Sequence, residues 1–458
     1  MLALAVRMLA LDEPDLRGID EGVELVMVRA HGLHMPFHLA WSLEGLRAHP
    51  GRALALLAGL LAVATALVFA ADDHERSGPR SPLRATALGA LGFFALSVGL
   101  PTDYELNSAF GDGTTLATNV GRGMIFGAEI GTSLLFQVAT HVADWLGATT
   151  VLDAIRGVDA LCAAAYGGSL AHLAWTQEGS RRDRLVLALG LMTGGAGLQL
   201  LGYIETTAVL LGAMATYLAA AAALADRRGA SPTMLLVCWS ALGLAVLAHG
   251  AGVLLGPSSL YLLVTASRSS RRAHFVAGCV LVVLPVVLVI LPRWLAGDIG
   301  NANGGGDANR WVPLDFDPHA LPSDCVYYGL LDRLHFYDLA NALLVSAPAL
   351  VPALVAALAA GRAAGGRPGE SKRGVWLLAW ASLGCLVIPL FWNHDFGMWG
   401  DWNLASAYLF PAHVLSWLLL VRTLGALSLS RTTFAACVVP VLLVQGLGTL
   451  GLALQLYR

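Results

Sequence analysis

Apolar residues in this chain come in long blocks, and short polar stretches separate them. Blocks of membrane-crossing length predict twelve spans: 53–71, 84–101, 151–173, 185–202, 205–225, 232–247, 250–265, 274–296, 336–361, 374–392, 404–422 and 433–455. A run of about 18 or more apolar residues is long enough to cross the hydrocarbon core as a helix. The pattern therefore predicts an all-α polytopic membrane protein with a transmembrane domain over 53–458. Several spans are rich in Ala, Gly and Leu, which suits close helix packing in lipid. Residues 1–52 form a separate N-terminal segment. Within it, 23–46 reads either as a thirteenth, weakly apolar pass or as a helix lying in the interface.

Charge gives the spans a direction. The connections carrying Arg76/Arg80/Arg84, Arg181/Arg182/Arg184, Arg227/Arg228, Arg268/Arg271/Arg272, Arg362/Arg367/Lys372/Arg373 and Arg422/Arg431 should be cytoplasmic. The connections 102–150, 203–204, 248–249, 297–335 and 393–403 are poor in Lys and Arg and should face outward. Strict alternation of the spans satisfies every one of these assignments. Two outward loops have real length. In 102–150, the stretch 131–147 carries Leu134, Leu135, Val138, Val142 and Leu146 at helical spacing, which predicts an amphipathic helix on the outer membrane surface. The loop 297–335 begins with a flexible Gly/Asn segment.

Composition agrees with the pattern. Of 458 residues, 57% are hydrophobic and 13% charged, against about 25% charged in soluble domains. Net charge is −3, so there is no basic footprint for nucleic acid. Six scattered cysteines form neither a CxxC motif nor a disulfide framework. No ordinary signal peptide is recognisable at the N-terminus, so the later spans should drive insertion.

The residues able to do chemistry gather on the outward side. The first outer loop holds Asp103, Glu105, Asp112, Arg122 and Glu129. Carboxylates there can act as general bases, bind cations or accept hydrogen bonds from sugar hydroxyls, though loop carboxylates are more often merely solvated. The hairpin turn after 202 holds Tyr203 and Glu205, and His249 occupies the next outward turn. An interfacial charge with an anchoring tyrosine, and a structural histidine, are the plain alternatives. Asp332, His335, Asp338 and Asn341 recur at three-residue steps and form a polar stripe entering a span. Last comes 391–411, where His394, Asp395, Asp401, Trp402 and Asn403 crowd one turn. Nothing in these spacings requires a metal or names a cofactor, although Asp112 with Glu129 could hold a divalent cation.

Taken in order over roughly 85–420, these segments resemble bacterial members of the GT-C superfamily of membrane glycosyltransferases. The resemblance is carried by Gly111-Asp112 in the first outer loop and by Glu129 opening a surface helix. Also part of it are Gly202-Tyr203-Ile204-Glu205 in a hairpin turn, His249 before a Pro-containing span, and Asp401-Trp402-Asn403-Leu404 late in the chain. It implies a transferase of the bacterial inner membrane that takes a sugar from a polyprenyl-phosphate donor at the periplasmic face. It implies catalytic roles for Asp112, as general base, and Glu129, as second acidic group. Asp103, Glu105, Arg122, Tyr203, Glu205, His249, His335, Asp338, Asp401 and Trp402 become substrate-binding lining of an outer cavity. The chain departs from the family's pattern at Gly400, Asn403 and Ala128-Glu129-Ile130, which leaves the phosphate-binding base open among Arg122, Arg293 and Arg310. A non-catalytic subunit of a membrane complex and a transporter remain as alternatives.

Overall fold

The computed structural model describes residues 82–99, 113–125, 129–145, 150–201, 206–226, 231–296, 330–331, 333–363, 373–392, 402–427 and 429–456, with single positions at 147 and 314. The N-terminal segment 1–52, the span expected at 53–71, and Asp103, Glu105, Asp112, Tyr203, Glu205, Arg310 and Asp401 lie outside the described residues. Those described build helices only. They are α1 (Pro82–Gly99), α2 (Gly113–Gly121), α3 (Ile130–Trp145), α4 (Val151–Thr176), α5 (Arg181–Met192), α6 (Thr207–Asp226), α7 (Pro232–Ala248) and α8 (Gly256–Thr265). After these come α9 (Arg268–Gly278), α10 (Leu284–Ala296), α11 (Arg333–Ser346), α12 (Leu350–Ala363), α13 (Arg373–Cys385), α14 (Val387–Phe391), α15 (Trp402–Ala426) and α16 (Arg431–Leu456).

Among the described residues, six helices are long and apolar enough to cross a membrane: Pro82–Gly99, Thr207–Asp226, Ser270–Arg293, Arg373–Phe391, Ala405–Ala426 and Arg431–Leu450. They fall on the expected spans 84–101, 205–225, 274–296, 374–392, 404–422 and 433–455, the expected span 53–71 lies outside the described residues, and local breaks interrupt several of the expected blocks. The block 336–361 divides into α11 and α12 around Pro348, and 374–392 divides at Leu386, three residues before Pro389. Proline lacks an N–H and clashes with the carbonyl four residues back, so such interruptions follow from sequence. α9 runs into α10 through a π-helical turn at Cys279–Val283, where the backbone of Leu281 lies against Gly243 of α7.

Packing relies on small residues. α1 lies on α4 where Gly89 meets Gly167, and a Cβ at either position would fall 2.5 Å from the other's carbonyl oxygen. Close backbone approach of this kind is how helices associate where no hydrophobic drive separates protein from lipid. α6 is the buried centre, with Tyr217 at 0% exposure and an almost unbroken run of buried Ala and Leu.

The block 185–202 is a discontinuous helix. Gly194, Gly195 and Gly197 are poor helix formers, and α5 stops at Met192 before a 3-10 turn at Gly195–Leu200. An interior break leaves carbonyls without helical partners, which an apolar interior does not tolerate. Side chains supply the missing donors. The Thr193 hydroxyl donates to the Leu189 carbonyl (2.8 Å), Gln445 Nε2 to Gly190 (2.7 Å), His413 Nε2 to Leu191 (3.2 Å) and the Thr449 hydroxyl to Thr193 (2.8 Å). Gln445 Oε1 in turn accepts from Trp417 Nε1 at 2.8 Å. α15 and α16 therefore complete a helix that α5 alone leaves open.

The arginine-bearing ends converge. Arg422 near the end of α15 donates to Gln177 after α4 (2.6 Å) and to Asp226 at the end of α6 (3.1 Å). Asp226 also accepts from the Gly374 N–H at the start of α13 (2.8 Å), and Arg182 at the start of α5 stacks 4.1 Å over Phe434 near the start of α16. Six helix ends thus meet at one pole, with the alternating directions read from charge.

Gln445→Leu should leave the Trp417 N–H without its acceptor and remove one donor from the Gly190 carbonyl, at about 1–3 kcal/mol for a buried group left unpaired. The expected result is a clearly lowered thermal midpoint for the detergent-solubilised protein. An unchanged midpoint would show that the break does not need this donor.

Candidate functional site

The opposite pole is built by the beginnings of α3, α6 and α15 and the end of α7. α6 has 20 residues, so at about 1.5 Å per residue its two ends lie about 30 Å apart. Asp226 marks the arginine end, and Thr206 precedes the other.

Gly131 makes the local assembly close. A Cβ there would fall 2.6 Å from the Leu247 carbonyl group, so only glycine lets the first turn of α3 reach the end of α7. The Thr132 hydroxyl then donates to the Ala248 carbonyl at 2.9 Å. This contact brings the residue before α3, Glu129, to the residue after α7, His249. Glu129 Oε1 lies 3.5 Å from His249 Nε2 and accepts from the Thr206 hydroxyl at 2.7 Å. The Glu129 backbone carbonyl accepts from the Ser133 N–H at 2.9 Å, which fixes the residue at the helix start.

Hydrogen bonds also settle the histidine's tautomer. His249 Nδ1 accepts from the Ala251 N–H at 3.2 Å, and the Tyr408 hydroxyl points at the same atom at 3.4 Å. The ring proton must then sit on Nε2, the nitrogen facing Glu129. Burial pushes the His249 imidazole down from 6.5 to about 4, because an apolar environment disfavours the charged ring. The Glu129 carboxyl group thus lies beside a neutral imidazole N–H, a combination that can take a proton from a substrate hydroxyl or orient that hydroxyl.

A neighbouring network holds the two supporting helices. The Thr207 hydroxyl donates to Gln199 Oε1 (2.6 Å) and Gln199 Nε2 donates to the Ser406 hydroxyl (2.6 Å). Gln199 thus ties the start of α6, which carries Thr206, to the start of α15, which carries Tyr408.

Of the residues expected from sequence, Glu129 and His249 come together across 120 positions of chain. His335 is buried and bonds elsewhere, with ring nitrogens 3.0 Å from the Leu330 carbonyl oxygen and 3.2 Å from that of Pro389. Arg122 follows α2 in a turn and is exposed, and Arg293 falls near the end of α10. Among the described residues neither is bonded to the Glu129–His249 pair. Asp338 and Trp402 lie on α11 and α15, and their side chains are outside the described set. The surface helix forms as α3, but Thr132, Ser133 and Phe136 face the protein, while Val138, Val142 and Trp145 are exposed. Its lower turn is therefore a packing element as well as an amphipathic surface.

Thr206, Tyr408, Gln199 and Ser406 were not among the sequence-derived candidates. Only Tyr408 gave a signal, since a tyrosine within an apolar run needs a partner for its hydroxyl. Among the described residues, no three His, Cys, Asp or Glu side chains gather as a metal site. No protein-family model, curated protein or solved structure matches the chain.

The His249 ring sets a pH dependence. In the unfolded chain it takes up a proton near 6.5, and in the folded protein only near 4. This contribution to stability is complete above the higher value and is lost as pH falls through the window between them. The wild-type thermal midpoint should accordingly drop relative to His249→Gln between about pH 7 and about pH 4. Parallel pH profiles would contradict a buried neutral histidine.

Proposed function

We propose that the chain is a glycosyltransferase of the GT-C type. It would transfer a sugar from a polyprenyl-phosphate donor to a hydroxyl acceptor at the periplasmic face of a bacterial inner membrane. The observation that carries the reading is the Glu129–His249 pair, held by Thr206 and Tyr408 at the pole away from the arginine cluster. A carboxylate in that setting suits hydroxyl recognition and proton transfer, and membrane lipid can bring a long-tailed donor to the same level. In this reading Asp112 is the general base. It takes the acceptor's proton as the acceptor oxygen attacks the anomeric carbon. The bond to the polyprenyl phosphate breaks, the lipid phosphate leaves with the electron pair, and the anomeric carbon inverts.

Glu129 and His249 hold the acceptor hydroxyl in line. The reading further assigns substrate binding to Asp103, Glu105, Tyr203, Glu205, His335, Asp338, Asp401 and Trp402, and makes Arg122 the counter-charge for the phosphate. A divalent cation between Asp112 and Glu129 would serve the same end.

One observation favours a second reading. The interrupted α5, with His413 and Gln445 buried beside the break, has the character of the broken helices that bind solutes in transporters.

The test uses purified protein in vesicles carrying polyprenyl-phosphate-linked hexose or pentose, and measures release of polyprenyl phosphate. Asp112→Asn should lower release by about 10² or more while leaving the protein folded, since general-base help is worth about 10² to 10⁴. Release at near wild-type rate in that variant would remove the assigned role. Solute uptake by the vesicles without any release would favour the transporter.

A further inference from the structure

Arg268, Arg271 and Arg272 open α9. No Asp or Glu occurs between Asp226 and Asp298, a stretch that contains all of α7, α8, α9 and α10. The elements around these arginines therefore carry no counter-charge of their own. Arg271 is used internally. Its Nη2 donates to the Val264 carbonyl (2.9 Å) and the Ala266 carbonyl (3.3 Å), which closes the end of α8. Arg268 and Arg272 are exposed, and among the described residues neither guanidinium has a hydrogen bond or an ion pair.

The direction in which they point is set from behind. On the inner side of α9, His274 is buried and accepts from Trp239 Nε1 of α7 at 3.2 Å. Ala277 is buried as well, and a Cβ at Gly278 would meet the same indole at 3.1 Å. α9 is thus seated on α7 by one face. Its opposite face presents Arg268, Arg272, Phe275 and Val276 at helical spacing, and all four are exposed. Val280, Val283, Leu284 and Leu288 continue the exposed strip along Ser270–Arg293, one of the helices long and apolar enough to cross a membrane. Two cations without a protein partner therefore stand at the head of a bare apolar strip.

We propose that this surface binds an anionic phospholipid. The phosphate is held by Arg268 and Arg272, and an acyl chain lies along Phe275, Val276 and Val280. Residues four apart on a helix have Cβ atoms about 5–6 Å apart, so both guanidinium groups can reach one phosphate. The planar guanidinium matches phosphate oxygens in paired hydrogen bonds. A free phosphate would meet the arginines alone, whereas a phospholipid also covers the strip beneath them. Charge selects the lipid: a zwitterionic headgroup brings its own cation, while an anionic one supplies the charge that 227–297 lacks.

The inference concerns the arginine-bearing ends of the helices and stands whether or not the chain is a transferase. It is tested by native mass spectrometry of the full protein titrated with phosphatidylglycerol or phosphatidylcholine. Wild type should retain phosphatidylglycerol in preference to phosphatidylcholine. Arg268→Gln/Arg272→Gln should weaken that retention by about 30-fold, at about 5-fold for each arginine near a membrane surface. Either single substitution serves should the double variant fail to fold. Arg84→Gln, which removes an exposed arginine from α1, should leave retention unchanged. Equal retention by wild type and the double variant would overturn the proposal, and so would an equal loss in Arg84→Gln. Displacement of the lipid by excess inorganic phosphate would overturn it too, by showing a site for the free anion.

Discussion

Every polar backbone group inside an apolar interior must find a partner, and this bundle is organised by how it meets that demand. Continuous helices meet it alone. α5 cannot, because Gly194, Gly195 and Gly197 end it inside the bundle, and His413, Gln445 and Thr449 from two later helices provide the donors. The late helices are thereby locked to the early ones at mid-height. At the arginine pole Asp226 accepts from the Gly374 backbone N–H, and Arg422 ties that carboxylate to Gln177. At the other pole the Thr132 hydroxyl caps the Ala248 carbonyl, and Gln199 joins Ser406 side chain to side chain.

The pair at the second pole depends on these constraints. Glu129 meets His249 only because Gly131 admits the Leu247 backbone, and α6 and α15 deliver Thr206 and Tyr408 only because Gln199 joins them. The environment then sets the chemistry. Burial keeps His249 neutral, and two donors at Nδ1 aim its proton at the carboxylate.

Much of this was legible in the amino-acid pattern. Apolar blocks located the helices, and the arginine-bearing connections located the ends that meet around Arg422. Glu129 and His249 stood out as ionisable residues at span ends. Their pairing did not, because it arises from one glycine contact between α3 and α7. Average hydropathy also hid the break in 185–202, since glycine counts as apolar while it ends a helix. The caps on that break lie more than 200 positions away, at His413 and Gln445. No local window connects such residues, and their polarity inside apolar spans was the one available sign.

The central claim is that the Glu129–His249 pole and the Arg422 pole face opposite sides of the membrane, with the former outward. Gly250 and Ser430 are exposed and adjoin the two poles. In a cysteine-free background, Gly250→Cys and Ser430→Cys can be treated in intact cells with a membrane-impermeant maleimide. The account predicts labelling of position 250 without lysis and of position 430 only after it. Labelling of both from the same side, or of position 430 alone in intact cells, would contradict it.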